Sequence, residues 1–166
     1  NGCDIRSFSN INTVMKSIYQ QESNIDFVIN TAGILKMGPL VSRKQNDIME
    51  EIKINYLGSV NVVKASTPYL KKTKGGILLF TSSSFTRGRA LYSIYSSTKA
   101  AIVNFMQAQA DELSMIDIRI NAINPERTDT EMRTQNFGYE PKSVLLKPSR
   151  VAKVSLQTLL SDYTGQ

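Results

Sequence analysis

Apolar side chains are distributed along this chain in two alternating patterns. Residues 7–21 carry them three or four positions apart, which predicts an amphipathic helix. Residues 25–30 and 77–80 are short runs of strand-forming residues, as in strands covered on both faces. Helical spacing returns over residues 93–114, and a strand pattern follows over residues 116–123. Strands that alternate with helices in this way predict an α/β fold with an open parallel sheet and helices on both faces.

Four further signals complete the predicted order of elements. Residues 1–6 are predicted to form the end of a strand. Ser42 with Gln45 three positions on makes a capping box, which predicts the start of a long helix. Pro68 is expected to kink or end that helix, because proline lacks the backbone N–H that a helix needs. A last helix is predicted over residues 148–161.

Polar residues follow the predicted strands at their carboxyl ends, namely Asp4, Asn30, Ser82 and Asn124. Ligands of open parallel sheets bind along this edge. Residues 126–147 form a long segment without a regular pattern, and a segment of this length in a compact domain is typical of a lid. The chain order therefore predicts a binding site on the carboxyl edge of the sheet, with a lid beside it.

Composition excludes several kinds of site. The 166 residues suffice for a single domain, predicted to span residues 1–166, with a buried core. The chain has no histidine, so neither a Ser-His-Asp triad nor a His-ligated metal site can be built from it, and we expect no metal. Cys3 is the single cysteine and cannot form an internal disulfide, which favours a cytoplasmic location.

The charge balance points to an anionic small molecule. Lys plus Arg number 20 and Asp plus Glu number 14, a net charge of +6, which fits an anionic substrate or weak affinity for nucleic acid. The basic residues are scattered, without a Lys/Arg-rich run or interleaved aromatic residues, so no nucleic-acid partner is predicted. No apolar run approaches the ~20 residues of a membrane span, so no membrane partner is predicted either.

The candidate chemistry lies around Tyr95 and Lys99. These residues are four positions apart in a predicted helix, so their side chains share one face. An ammonium beside a phenol favours the phenolate, which lowers the phenol's pKa and makes it a usable proton donor or acceptor. Ser82, at the end of the preceding strand, could direct a hydroxyl to the same place. Tyr and Lys at this spacing are also common on solvated helix surfaces, so the pair alone does not define a site.

Several motifs together resemble those of the short-chain dehydrogenase/reductase family, over nearly the whole chain. The family pattern is met in order by Asn30-Thr31-Ala32-Gly33, by Asn55, by Ser82 thirteen residues before Tyr95, by Tyr95-Ser-Ser-Thr-Lys99, and by Arg119 to Pro125 followed by Thr130 and Met132. The resemblance implies a Rossmann-like, doubly wound, three-layer fold. It also implies hydride transfer between NAD or NADP and a carbonyl or alcohol, because the cofactor carries that chemistry.

The resemblance also implies a role for each site residue. Tyr95 would be the general acid in reduction, and Lys99 would lower its pKa and hold the ribose hydroxyls of the cofactor. Ser82 would donate a hydrogen bond to the substrate oxygen, and Asn55 would hold a water in the proton relay. Further cofactor contacts would come from Tyr95 itself, from Asp4 and Ile5 near adenine, from Asn30, Ala32 and Gly33 near ribose, and from Pro125, Thr128 and Thr130 near nicotinamide. Family members commonly pair through the helices that carry Asn55 and Tyr95, so a homo-oligomer is implied.

One departure from the family pattern is large. The glycine-rich phosphate loop of the family joins its first strand and helix, and no such loop occurs in this sequence. By resemblance, the first two strand-helix units of the fold are absent, as is the last strand that would follow residues 164–166. NAD and NADP therefore cannot be distinguished. The alternative function is a truncated, non-catalytic fragment or binding module that cannot hold the dinucleotide. A sugar-nucleotide epimerase or dehydratase is disfavoured, because its larger substrate domain has no room here.

A second departure suggests the substrate. Pro125 is followed by Glu126 and Arg127 where the family usually has Pro-Gly. Further arginines, Arg87 and Arg133, lie in neighbouring loops. Guanidinium groups from separate loops suit a phosphate or a carboxylate, which predicts a phosphorylated or otherwise anionic sugar-like substrate. The segment from Asn124 to Gly138 is also similar to the reductase half of bifunctional CDP-ribitol synthases, which reduce ribulose 5-phosphate.

Overall fold

A parallel sheet of three strands forms the centre of the computed structural model, which describes residues 2–166. The strands are β1 (Phe27–Asn30), β2 (Gly76–Phe80) and β3 (Arg119–Ile123), in the order β1-β2-β3. Both pairings are parallel, with Val28 opposite Ile77 and Phe80 opposite Ile123. The predicted α/β class and parallel sheet are confirmed.

Six α-helices of the described chain surround the sheet: α1 (Phe8–Glu22), α2 (Gln45–Ile52), α3 (Gly58–Thr73), α4 (Ser93–Ser114), α5 (Glu131–Phe137) and α6 (Pro148–Leu159). A π-helical turn, Lys53–Leu57, joins α2 to α3 without a break. Three 3₁₀ turns lie at Leu40–Ser42, Ser83–Phe85 and Lys142–Val144. In residues 2–166, no helix combines the length and the apolarity that crossing a membrane requires.

The core occupies both faces of β2, as its continuous apolar sequence predicts. Ile77 and Leu79 pack into the larger cluster, with residues of α1, α3 and α4. Leu78 points to the other face, where it meets Leu159 of α6. Successive strand residues alternate between faces, so one short strand joins two helical layers into the predicted three-layer arrangement.

Two predicted boundaries at the strands are wrong. Residues 2–6 form no strand, and residue 1 lies outside the described residues. The Ser7 backbone N–H donates to the Asp4 carbonyl, which closes a turn, and Asn61 of α3 donates to the Ile5 carbonyl. The turn and the bond from Asn61 hold residues 4–7 against α3. The last strand starts at Arg119 and not at residue 116, because Asp117 takes a left-handed backbone conformation (φ 61°) that interrupts the extended chain.

The predicted capping box and helix end are also wrong. Helix α2 starts after Lys44, and the Ser42 hydroxyl donates to the Pro39 carbonyl within a 3₁₀ turn, so it does not cap the helix. Pro68 lies inside α3, which continues to Thr73. Beyond it, the Leu70 side chain is fully buried in the core, and such packing outweighs the lost backbone hydrogen bond.

Gly75 directly precedes β2, and we expect it to tolerate substitution less than the other glycines do. A Cβ at this position would collide with the backbone carbonyl of Asp26, which accepts the Gly76 N–H that starts the β1–β2 pairing. Gly75→Ala should therefore lower the free energy of unfolding by about 3 kcal/mol, as overpacking against backbone does. Urea unfolding measures this loss. Gly88→Ala is the matched control, because a Cβ there meets no atom within 4 Å; an equal loss in both variants would contradict the prediction.

Candidate active site

A cavity of about 300 Å³ opens at the carboxyl edge of the sheet, where the sequence places the site. Segments that follow all three strands form its wall. The lining residues are Thr31, Gly33, Leu35, Phe80 to Ser84, Tyr92, Tyr95, Lys99, Pro125 to Thr128, Thr130, Met132, Arg133 and Phe137. The cavity therefore combines hydroxyl groups, aromatic rings and cations, on an edge where open parallel sheets bind their ligands.

Helix α4 brings Tyr95 and Lys99 to the cavity one turn apart. The Lys99 Nζ lies 5.5 Å from the centroid of the Tyr95 ring. It donates a 2.8 Å hydrogen bond to the backbone carbonyl of Phe80, at the end of β2. Lys99 is only 5% exposed, so an amine lies in the wall of the cavity largely removed from water.

Burial shifts the pKa values of both side chains. It lowers the pKa of Lys99 from 10.5 to about 8, since the charged form is poorly solvated. Burial also raises the pKa of Tyr95, against the opposing effect of the Ser82 hydroxyl; the carboxylate of Glu51 adds a smaller upward effect. The sequence suggested the opposite direction for Tyr95. The difference arises because burial dominates at Tyr95, while the Lys99 Nζ bonds to a backbone carbonyl.

Ser82 leaves β2 and caps the 3₁₀ turn that follows. Its hydroxyl oxygen accepts hydrogen bonds from the backbone N–H of Ser84, at 3.3 Å, and from the Ser84 hydroxyl, at 3.2 Å. A serine hydroxyl has one donor and two acceptor positions, so both acceptor positions are used and the proton is left for another group in the cavity. The structure therefore brings Ser82 to the same cavity as Tyr95 and Lys99.

Asn55 lies behind the cavity wall, in the π-helical turn. Its side-chain oxygen accepts the Ile34 N–H at 2.8 Å, and its amide donates to the Ile34 carbonyl at 2.9 Å and to the Thr98 hydroxyl at 3.3 Å. Single π turns inside α-helices are frequent at functional sites. The Asn55 side chain therefore fixes the segment after Gly33, next to the cavity, and does not itself line it.

The predicted ribose-side residues form a turn after β1. The Asn30 side chain accepts the Ala32 N–H at 3.2 Å and donates to the buried Ser59 hydroxyl at 3.0 Å. Gly33 reaches the cavity, whereas Asn30 and Ala32 do not line it. Thr31 does line it and was not predicted. The polar turn sequence pointed to the right loop, but not to the residue whose side chain meets the cavity.

Asp4 and Ile5 do not reach this cavity. The Asp4 carboxylate is paired with Arg6 at 2.8 Å, and Ile5 packs against Gly58 at the start of α3. Their predicted contact with adenine stays a prediction. Pro125, Thr128 and Thr130, which follow β3, all line the cavity.

The three predicted substrate arginines take different positions. Arg127 and Arg133 line the cavity, whereas Arg87 is exposed and lies outside its wall. Arg133 forms a bidentate ion pair with Glu140, with distances of 2.5 and 2.9 Å. Arg127 and Arg133, which belong to the predicted lid, thus contribute to the site. Arg87, from another loop, does not.

An aromatic chain, which the sequence did not reveal, joins α5 to the Tyr95 helix. Phe137 of α5 meets Tyr92 edge-on at 5.8 Å, and Tyr92 meets Tyr95 at 6.3 Å. The Arg133 guanidinium lies 3.8 Å from the centroid of the Phe137 ring. Tyr92 lies three residues before Tyr95, and this spacing was the available signal. Phe137 gave no signal, because its contact joins the end of α5 to the start of α4, which are far apart in the sequence.

A parallel sheet thus carries a Tyr-x-x-x-Lys helix and a serine at its carboxyl edge, in the arrangement that the motifs of the sequence predicted. The family model described as short chain dehydrogenase matches residues 1–140. The chain belongs to the short-chain dehydrogenase family.

Known proteins of several organisms are similar to the chain. It is 47% identical, over 99% of its length, to the bifunctional ribulose 5-phosphate reductase/CDP-ribitol pyrophosphorylase Bcs1 of Haemophilus influenzae, and spans 35% of that protein. An alcohol dehydrogenase from Thermococcus sibiricus complexed with 5-hydroxy-NADP superposes with a TM-score of 0.86 at 25% identity, over 99% of this chain and 70% of that one. A 3-ketoacyl-(acyl-carrier-protein) reductase from Brucella melitensis shares the fold, with a TM-score of 0.90 at 23% identity, over 98% of this chain and 72% of that one.

Proposed function

We propose that this chain forms the reductase site of an NAD- or NADP-dependent enzyme that acts on an anionic sugar, with ribulose 5-phosphate as the preferred substrate. The observation that carries the proposal is the convergence of Ser82, Tyr95 and Lys99 on one cavity. The choice of sugar phosphate is supported by the identity to the Haemophilus influenzae protein, whose name includes ribulose 5-phosphate reductase. Two arginines in the wall of the same cavity support it independently.

Tyr95 is the proposed general acid. Burial raises the pKa of its phenol, so the side chain is protonated at neutral pH and starts the reduction as a proton donor. The Ser82 hydroxyl has both acceptor positions occupied by Ser84 and can donate its proton to a carbonyl oxygen. A donor fixed before the reaction stabilises the negative charge that grows on that oxygen.

Lys99 and Asn55 support this proton transfer. The Lys99 ammonium has three N–H groups, and its one hydrogen bond within residues 2–166 goes to Phe80. Two donors thus remain for a ribose hydroxyl or for the phenolate that Tyr95 becomes. Asn55 holds the Ile34 backbone and thereby fixes the wall beside the amine.

The wall near Gly33 fits the ribose and nicotinamide of a dinucleotide. A Cβ on Gly33 would lie 3.4 Å from the Asn55 Oδ1 and 3.5 Å from the Lys99 Nζ, so glycine keeps this space open beside two polar groups. Thr128 and Thr130 add hydroxyl groups from the loop after β3. When bound, the dinucleotide supplies the hydride, and the side chains of this chain orient the substrate and provide the proton.

The sequence leaves three further features as predictions. These are the choice between NAD and NADP, a homo-oligomer through the helices of Asn55 and Tyr95, and a cytoplasmic location. The exposed Cys3, which has no disulfide partner, fits the last of these. None of the three changes the assignment of the site residues.

The test is reduction of ribulose 5-phosphate by the full protein that contains this chain. Oxidation of NADPH and of NADH is followed by absorbance with ribulose 5-phosphate, and with ribulose as the neutral control. We expect kcat/KM to be at least about tenfold higher for the phosphorylated sugar, since the guanidinium groups of the cavity wall can pair with a phosphate and not with a neutral sugar. No binding of either nicotinamide cofactor in a calorimetric titration would favour the binding module, which cannot hold the dinucleotide.

A further inference from the structure

The Glu140 carboxylate bridges the two arginines of the cavity wall. Its pairing with Arg133 uses both carboxylate oxygens and two guanidinium nitrogens, at 2.5 and 2.9 Å. The Arg127 Nη1 approaches one of the same oxygens at 3.6 Å. Glu140 itself does not line the cavity. Because guanidinium groups bind carboxylates and phosphates with the same fork geometry, the arrangement of Arg133 suits either anion.

Arg133 is held in place, whereas Glu140 is held by the arginines alone. The Arg133 guanidinium packs on the Phe137 ring, and only 20% of its side chain is exposed. Within residues 2–166, the Glu140 carboxylate has no hydrogen-bond partner other than Arg133, and the ion pair to Arg127 is its one further charged contact. The backbone after α5 turns at Gly138, with φ 75°, and continues without regular structure to Pro141. A carboxylate on such a loop can leave while the guanidinium stays.

The charges around the cavity favour such an exchange. Among the described residues of the wall, Lys99, Arg127 and Arg133 are positive and Glu126 is negative. Pairing with Arg133, and less strongly with Arg127, lowers the pKa of Glu140, so its carboxylate is charged at neutral pH. A phosphate monoester carries about −1.5 to −2 charges. It therefore competes with a single carboxylate for both guanidinium groups, whereas a neutral sugar cannot.

We propose that the Glu140 carboxylate competes with the substrate's phosphoryl group for Arg133 and Arg127, and that the phosphoryl group displaces it. Glu140 thereby sets specificity: an anion must replace the carboxylate, and weaker anions and neutral sugars fail to do so. The identity of the sugar rests on the proposed function, but the anion site rests on the three side chains.

Calorimetric titration of the full protein with inorganic phosphate tests the site without any assay of turnover. Glu140→Gln keeps the shape of the side chain and removes its charge, so phosphate should bind about tenfold more tightly. Arg133→Gln should weaken binding about tenfold, and adding Glu140→Gln to it should restore little. Glu131→Gln is the control, because it removes one negative charge from the same short helix, where Glu131 contacts Gln135 and neither arginine.

Any other result of these phosphate titrations overturns the proposal. Weaker phosphate binding in Glu140→Gln would show that the carboxylate orients the arginines and is not displaced. Unchanged binding, or an equal gain in Glu131→Gln, would place the phosphate elsewhere.

In turnover assays, Glu140→Gln should lower the KM for ribulose 5-phosphate and leave kcat unchanged. If the protein reduces no sugar, the proposed function fails while the phosphate titrations still decide this proposal.

Discussion

Replacing Tyr95 by phenylalanine is expected to lower kcat about a thousandfold, within the range that general acid catalysis contributes. The variant loses the phenolic proton and keeps the ring, so the edge-on contact with Tyr92 persists. Ser82 and Lys99 stay in the cavity, and their remaining hydrogen bonds to Ser84 and Phe80 do not involve Tyr95. The loss should therefore appear in kcat, with little change in the dissociation constant of the nicotinamide cofactor.

Tyr92→Phe is the matched control for this prediction. It removes a phenolic hydroxyl from the same cavity and the same end of α4, from a residue with no proposed proton to transfer. Stopped-flow or steady-state kinetics with ribulose 5-phosphate measure both variants, and fluorescence titration measures cofactor affinity. Retention of more than about a tenth of the wild-type kcat in Tyr95→Phe would refute its role as general acid.

The parts of the site that sequence predicted are those set by local geometry. Tyr95 and Lys99 share a face because any helix places residues four apart side by side. Ser82 follows from a strand that ends at the known edge of a parallel sheet. These relations need no knowledge of distant contacts, and the structure places all three residues in one cavity.

The parts that sequence did not predict depend on contacts between separate segments. The side chain of Asn55 pairs with the backbone of Ile34, which lies 21 residues away, and the π-helical turn around Asn55 has no marker in the sequence. Glu140 reaches Arg133 only because the chain turns at Gly138. Arg87 was predicted to bind the anion for the same reason as Arg127 and Arg133, but its loop leaves it exposed. Residue type thus suggested an anion site, but loop conformation decided which cations form it.

The pKa of the tyrosine also depended on tertiary structure. A lysine four residues away suggested a lowered value, because a nearby cation favours the phenolate. Burial overrides this effect, and it also lowers the pKa of the lysine itself. The burial of both groups could not be read from their spacing.

Replacing Lys99 by methionine is expected to lower kcat/KM at least about a hundredfold, because it removes the ammonium that would hold the ribose and stabilise the phenolate. The same variant tests the pKa through stability. The pKa of Lys99 is about 8 in the folded chain and has the ordinary lysine value of 10.5 in the unfolded one. Between these values the unfolded chain binds more protons, so the free energy of unfolding should rise with pH from about 8 to 10.5.

The total rise is about 3 kcal/mol at 1.36 kcal/mol per pKa unit, and it should be absent from Lys99→Met. The raised pKa of Tyr95 acts with the opposite sign, because the folded chain then keeps a proton that the unfolded chain loses, and it does so only above pH 10. The hydrogen bond with Thr158 lowers the pKa of Tyr163, which adds a rise of the same sign below pH 10 in both proteins. The difference between the urea-unfolding profiles of the wild-type protein and Lys99→Met, measured between pH 7 and 10, therefore isolates the lysine. Lys71→Met, at an exposed position of α3, should leave both the slope and the activity unchanged. A flat stability profile in the wild-type protein would mean that Lys99 is solvated, and its lowered pKa could then play no part in catalysis.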